Sequence, residues 1–222
     1  LWGIIIKGEK LDLMLLFLVY ILLNSYLFFQ TYVISLDGAF QFIPIAKLFA
    51  AGSFKDALNY TGQQPFYPFL ISLVFRWIPD FEWAGRLVAS VFGILMIFPV
   101  YTLGKKIFDQ KIAFLSVLFL VIHPYVWRFS TEVLKESTYL FFLATTLWFA
   151  WRAIQDERRY SFLFIPFFSV LAYLVRPDGF ELLLVVFFYI FFIKKFSIPG
   201  RKRKVILFLL VSSVLLFLPY LF

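Results

Sequence analysis

Seven stretches of this chain are so long and so apolar that a lipid bilayer is the natural place for them. They lie at about 11–29, 84–104, 111–127, 137–151, 160–175, 179–193 and 205–222. The first holds roughly 19 residues, which at about 1.5 Å per residue cover the ~30 Å hydrocarbon core of a membrane. The shorter runs reach that length with help from flanking aromatics and from packing in a bundle. Backbone exposed to lipid must satisfy its own hydrogen bonds, which leaves helices or a closed barrel. A barrel strand alternates polar and apolar residues, and Leu182 to Ile193 does not. The expected fold is therefore an all-α polytopic membrane bundle of about seven transmembrane helices. Composition agrees: 63% of the residues are hydrophobic and 33 are Phe, well above a soluble domain. With no cysteine, a disulfide framework and a thiolate metal site are both excluded.

An eighth apolar run, Phe66 to Ile78, decides the topology. It is about 13 residues long, too short to span unaided, and Pro65 and Pro68 stand at its start. If it does not span, 14 of the 21 Lys and Arg residues share a side with the N-terminus, among them Lys105, Lys106, Arg158, Arg159 and the cluster from Lys194 to Lys204. The tendency of basic loops to stay in the cytoplasm then makes the N-terminus cytoplasmic. The net charge of +8 reads as orientation signals and contacts with anionic membrane lipids, with no nucleic-acid partner implied. Residues 30–83 become a long outer first loop. Within it, Ala39 to Ala51 has the spacing of a surface helix stopped by Gly52, Phe54 to Asn59 forms a further turn, and Thr61 to Pro65 is a polar loop. No linker or repeat divides the chain, so residues 1–222 read as one module. A start at Leu1 and a stop inside an apolar run suggest that it is part of a longer protein.

Several motifs follow one another along nearly the whole length: Ser35-Leu36-Asp37-Gly38-Ala39-Phe40, Gln63-Gln64-Pro65-Phe66-Tyr67-Pro68, Trp83-Ala84-Gly85-Arg86-Leu87, Leu103-Gly104-Lys105-Lys106-Ile107-Phe108, His123-Pro124-Tyr125, Phe129-Ser130-Thr131-Glu132 and Leu174-Val175-Arg176-Pro177-Asp178-Gly179. In that order they resemble the GT-C fold membrane glycosyltransferases, in particular the protein O-mannosyltransferase and aminoarabinose-transferase branch. The resemblance implies transfer of a sugar, with inversion, from a polyprenyl-phosphate donor to a lipid, glycan or protein acceptor. It places the reaction on the outer face of a plasma membrane in a prokaryote, or the lumenal face of the endoplasmic reticulum in a eukaryote.

The same resemblance assigns roles. Asp37 becomes the general base that takes the proton of a weakly nucleophilic acceptor. The plain alternative is that Asp37, ahead of Gly38 and a helix, only caps that helix. Relatives often carry two adjacent acids here, whereas this chain has Gly38 after Asp37. Glu132 supplies a second acid near the acceptor. Glu132 and Glu136, four apart and so on one helical face, would ligate a divalent cation, Mg or Mn, in a metal-dependent relative; metal-free chemistry stays equally open. Arg128 and Lys135 contact donor or acceptor, or pair with those acids at an ordinary solvated helix end. Arg176, just before Pro177, holds the leaving lipid phosphate through its planar fork or else is an interface anchor. His123, the single histidine, and Gln64 complete the binding set. A transporter or flippase is the main rival. It would place ionisable or Gly/Pro-broken positions in mid-membrane, and these spans are nearly free of charge.

Overall fold

A computed structural model describes residues 7–30, 33–60, 64–154 and 161–192, with isolated positions at 207, 211 and 214. Apart from those positions the seventh apolar run lies outside the described residues, as do Arg158, Arg159, Lys194, Lys195, Arg201 to Lys204 and the polar stretch 61–63. Among the described residues the regular structure is entirely helical. Helices occupy each of the first six apolar runs: α1 (Lys7–Gln30), α5 (Phe81–Ile107), α6 (Gln110–Ile122) with α7 (Pro124–Thr131), α8 (Glu136–Ile154), α9 (Ser161–Val175) and α10 (Gly179–Phe192). Between α1 and α5 come a π-helical turn (Gly38–Phe42), α2 (Ile43–Ala50), α3 (Phe54–Asn59) and α4 (Phe66–Phe75). Two of the helices, α1 and α5, are long and apolar enough to cross a membrane, and α6 with α7 makes a third if that bent pair is one span. The chain is thus an integral membrane protein with two to three candidate spans.

Side-chain contacts fix how the long helices run. The start of α1 meets the end of α5 through an ion pair between Glu9 and Lys105 and a 2.8 Å hydrogen bond from the Tyr101 hydroxyl to Asp12. The other end of α1 meets the start of α5, where the Phe28 and Trp83 rings lie 5.2 Å apart, so the two helices are antiparallel. Along α5 and α8, Phe92 packs on Phe142 and Phe98 on Trp148, so that pair is parallel. Phe149 of α8 stacks on Phe168 of α9 while Glu136 meets Arg176, so α9 turns back. We call the end where α1 begins proximal and the other distal. The first-loop helices, the turn before α8 and the α9–α10 turn all gather distally.

Sequence explains the individual ends. Asp80 caps α5 by accepting from the backbone N–H groups of Glu82 and Trp83, and Asp109 caps α6 through Ile112. Gly52, at φ +81°, closes α2 while the Ser53 N–H reaches back to the Leu48 carbonyl, the bond pattern a left-handed glycine permits. The expected span at 111–127 is broken: α6 ends at Ile122 and α7 leaves at 61° to it. Pro124 has no N–H to continue the ladder and forces His123 into extended backbone (ψ 128°). Helix α4 has 10 residues, about 15 Å of helix at about 1.5 Å each, and packs between α2 and α5. It is too short to cross.

Two of the apolar cores matter most for the site. Leu16, Ile97, Tyr101, Val117 and Val121 knit α1, α5 and α6 in the proximal half. Distally, Phe42, Tyr67, Ile71, Val88, Val133, Phe142 and Val175 join the first-loop helices to α5, α8 and α9. That second core is the platform on which the charged residues stand. On α1 the buried positions Leu13, Leu16, Tyr20 and Asn24 recur every three or four residues, while Met14, Leu18, Leu22 and Tyr26 remain exposed, as a lipid-facing helix requires.

Candidate functional site

Asp37 stands at the distal end, exposed, on the first turn after the chain leaves α1. Its backbone is already helical (φ −63°, ψ −39°) and its side chain makes no capping bond. Ser35 does the capping, with its hydroxyl oxygen accepting from the Gly38 N–H at 3.0 Å. The capping alternative for Asp37 is therefore corrected, because the helix starts two residues earlier than its sequence suggests. The chain then takes a π-helical turn, in which the Ile43 N–H reaches the Gly38 carbonyl, before settling into α2.

Facing this turn is the segment 132–136 between α7 and α8. Val133 is fully buried in the distal core and pins the segment in place. Lys135 lies with its ammonium 5.4 Å from the centre of the Phe42 ring, a cation–π contact. Burial pushes the Lys135 ammonium below the usual lysine range. Glu136 opposes that shift, Arg176 adds to it, and Asp37 and Asp178 oppose it as well. Charges from three separate segments thus act on one lysine: Asp37 from the first loop, Glu136 from the start of α8, and Arg176 with Asp178 from the α9–α10 turn.

Arg176 is the most engaged of these. Its guanidinium contacts Asp178 at 2.8 Å and Glu136 at 3.6 Å, and lies 5.3 Å from the Tyr139 ring centre. About a third of its side chain is exposed, enough to meet a ligand. The other oxygen of Glu136 is buried with no hydrogen-bond partner, and so is the side-chain oxygen of Gln64. Buried polar atoms are nearly always satisfied, so two orphaned acceptors at one end of a bundle call for donors. Tyr67 ties Gln64's neighbourhood to this cluster. Fully buried, it donates to the Gly85 carbonyl at 3.1 Å, and burial, reinforced by the Glu136 carboxylate, pushes its phenol well above the usual range.

Against the first-loop helices lies an apolar cavity of about 670 Å³. Phe49, Phe54, Pro65, Phe66, Phe69 and Leu174 line it. Pro65 on its wall directly follows Gln64, and none of the charged residues lines it.

The remaining expected site residues stand apart. Glu132 accepts from Arg128 at 3.0 Å, an i,i+4 pair at the end of α7 with the arginine largely in solvent. His123 caps α7 through the Tyr125 N–H at 3.3 Å and stacks on the Tyr125 ring. Each thus has a structural partner of its own. A divalent cation does not fit these residues. Glu132 and Glu136 each face an arginine, and among the described residues no three His, Asp or Glu side chains are grouped to hold a metal. Tyr67 and Asp178 lie within the sequence motifs but were given no role there, Tyr139 lies in none, and all three join the cluster. A signal for Asp178 was present, since an acid two residues after a boundary arginine is its nearest counter-ion.

A family model described as dolichyl-phosphate-mannose-protein mannosyltransferase matches residues 62–222, well over half of the chain. The matched span contains Gln64, Lys135, Glu136, Arg176 and Asp178 and begins after Asp37. No curated protein and no solved structure matches.

Proposed function

Since the chain belongs to the dolichyl-phosphate-mannose-protein mannosyltransferase family, membrane glycosyltransferases that draw on a lipid-phosphate-sugar donor, we propose that transfer takes place at the distal end with Asp37 as general base. The supporting observation is the convergence of Asp37, Glu136, Arg176 and Asp178 on Lys135 from three loops far apart in sequence. Distal then means the outer or lumenal face, the N-terminus is cytoplasmic, and about seven spans in residues 1–222 carry a first loop at 30–83.

The chemistry divides by the kind of atom on offer. Lys135 and Arg176 are donors only and face the phosphate, which has only acceptors to present. The orphaned oxygens of Gln64 and Glu136 are acceptors and receive hydroxyl hydrogens, either from the sugar or from the acceptor. The isoprenoid tail lies in the apolar cavity, which has the wall chemistry for it. Two cations face three carboxylates here, so phosphate reaches Arg176 by displacing Asp178. Asp37 is exposed, open to an acceptor arriving from the aqueous side. It takes the proton of the attacking hydroxyl as the bond from sugar to phosphate breaks, and the lipid phosphate leaves toward Lys135 and Arg176. Attack opposite the leaving phosphate inverts the anomeric centre. Glu132, paired to Arg128, supports the rim of the site, and Arg128 and His123 mark the edge toward the acceptor.

The test uses the full chain in proteoliposomes with a radiolabelled polyprenyl-phosphate sugar. Asp37→Asn should insert and bind donor as the parent does, and lose transfer by about 10²-fold or more, the scale of general-base catalysis. Turnover close to the parent's would remove Asp37 from the mechanism.

A further inference from the structure

Beside the packing of Phe42 and Gly38 on Val133 and Lys135, a hydrogen bond from Ser35 fastens the loop that carries Asp37 to the segment 132–136. The Ser35 side chain is buried. Its hydroxyl donates to the Val133 carbonyl at 2.8 Å while its oxygen accepts from the Gly38 N–H at 3.0 Å. One side chain therefore starts the helix bearing Asp37 and ties that start to a residue 98 positions away. The surroundings leave it no slack. A Cβ on Gly38 would stand 2.8 Å from both Ser35 Oγ and Val133 Cβ, and one on Gly85 would stand 2.8 Å from Val133 Cγ1. Real Cβ contacts are longer than this, so Val133 is seated between two glycines, one on the first loop and one on α5. Asp37 lies between the clasped Ser35 and the seated Gly38. Lys135 and Glu136 follow Val133 by two and three residues.

We propose that Ser35 is a positioning residue for sugar transfer: its clasp on Val133 sets the separation between Asp37 and the Lys135–Glu136 pair. This rests on the reading of Asp37 as the base. An exposed carboxylate on a first helical turn has nothing else to hold it, since its own side chain makes no capping bond. Its distance to the phosphate-facing cations is set by backbone placement alone. Loss of the Ser35–Val133 bond lets the turn drift, and an ångström of drift in a reacting group is costly in rate.

A matched control exists in the same layer. The Ser90 hydroxyl donates to the Ser130 carbonyl at 2.7 Å, tying α5 to α7 with no link to Asp37. The experiment compares Ser35→Ala, Ser35→Cys, Ser35→Thr and Ser90→Ala in the full chain, measuring Tm and also kcat and KM for a polyprenyl-phosphate sugar. It repeats Ser35→Ala in an Asp37→Asn background. Ser35→Ala should lose roughly ten- to a hundredfold in kcat with donor KM unchanged. Ser35→Thr keeps the hydroxyl but adds a methyl to a buried, tight site, so it should restore kcat in part. Ser35→Cys, near-isosteric but a weaker donor, should fall between and serves if the alanine variant does not fold. Ser90→Ala should lose comparable Tm yet stay within about twofold of the parent in kcat. On Asp37→Asn, Ser35→Ala should add nothing, because groups acting through one another are not additive. Equal kcat losses for the Ser35 and Ser90 variants at equal Tm cost, or losses that multiply in the Asp37→Asn background, would make Ser35 merely structural. Parental turnover in Asp37→Asn alone would instead overturn the base, whatever Ser35 does.

Discussion

Charged and polar residues gather at both ends of this bundle, and the two ends use them differently. Proximally they close on one another. Glu9 is buried against Lys105, and Asp12 takes hydrogen bonds from both Tyr101 and Gln110, so three helices are stitched by groups with partners to spare. Distally the account does not close. Asp37 is exposed, one oxygen of Glu136 and the side-chain oxygen of Gln64 are buried and orphaned, and two cations face three carboxylates. Buried polar groups are usually satisfied, because an orphan costs about 1–3 kcal/mol, although the hydroxyls of Thr138, Thr145 and Ser169 along α8 and α9 are orphaned too. Orphans left at the mouth of a bundle are better explained by a ligand that brings the missing donors. The same residue types thus act as staples at one end and as a binding surface at the other.

Substitutions at the two glutamates should break that comparison if it is wrong. Glu9→Gln removes the partner of Lys105 and should lower stability by about 2 kcal/mol, below the range for a fully buried pair because the lysine is 31% exposed, with kcat of the surviving protein unchanged. Glu136→Gln should do the reverse, losing roughly tenfold in kcat/KM while Tm changes little, since its contact with Arg176 is long at 3.6 Å and Arg176 keeps Asp178 at 2.8 Å. Thermal unfolding and donor kinetics on both variants decide it. A Glu136→Gln variant that unfolds early with normal kinetics would make the distal cluster another staple.

The phosphate assignment sharpens the picture at Arg176. Arg176→Lys keeps the charge and loses the planar fork, so donor affinity should weaken by roughly tenfold with the fold intact. Asp178→Asn frees the guanidinium from its 2.8 Å partner and should tighten donor binding. Equal donor affinity in both variants, measured by titration, would leave Arg176 an interface anchor.

A smaller effect concerns pH. Lys135 loses its proton below the usual lysine range because it is buried. If its charge holds phosphate, donor kcat/KM should fall as pH rises through that lowered value, and Lys135→Arg, which stays charged, should move the alkaline limb upward. Stability runs the other way. A lysine whose pKa is lowered by folding costs stability where the fold must carry the proton, and that cost is relieved as pH rises. A limb that Lys135→Arg leaves in place belongs to another group.

The fold was largely readable because the hydrophobic effect writes it locally. Six apolar runs became helices, and the run from Phe66 to Ile78 holds a helix of 10 residues, shorter than a span by length. The run at 111–127 read as one span, whereas Pro124 breaks it into α6 and α7 at 61°. The site was readable only in pieces. Asp37, Lys135, Glu136 and Arg176 stood out as charges beside apolar runs, yet nothing along the chain says that Lys135 would face all three others. The bond from Ser35 to Val133, Val133 between Gly38 and Gly85, and the influence of Glu136 on Tyr67 join segments far apart in sequence. Local pattern carries no trace of them. Of the two readings of Arg128, as a ligand contact or as a partner of the nearby acids, the pair with Glu132 is present, and His123 caps α7.

The central claim is that the sugar phosphate binds at the distal end. The most direct measurement is photolabelling of the active full chain in membranes by a polyprenyl-phosphate sugar bearing a diazirine on the sugar, followed by mapping of the labelled peptides. Labels should fall within residues 35–42, 64–67, 132–139 and 176–178, and excess unlabelled donor should suppress them. Labels concentrated at residues 9–12 and 105–111 would place the substrate at the proximal end and contradict the account.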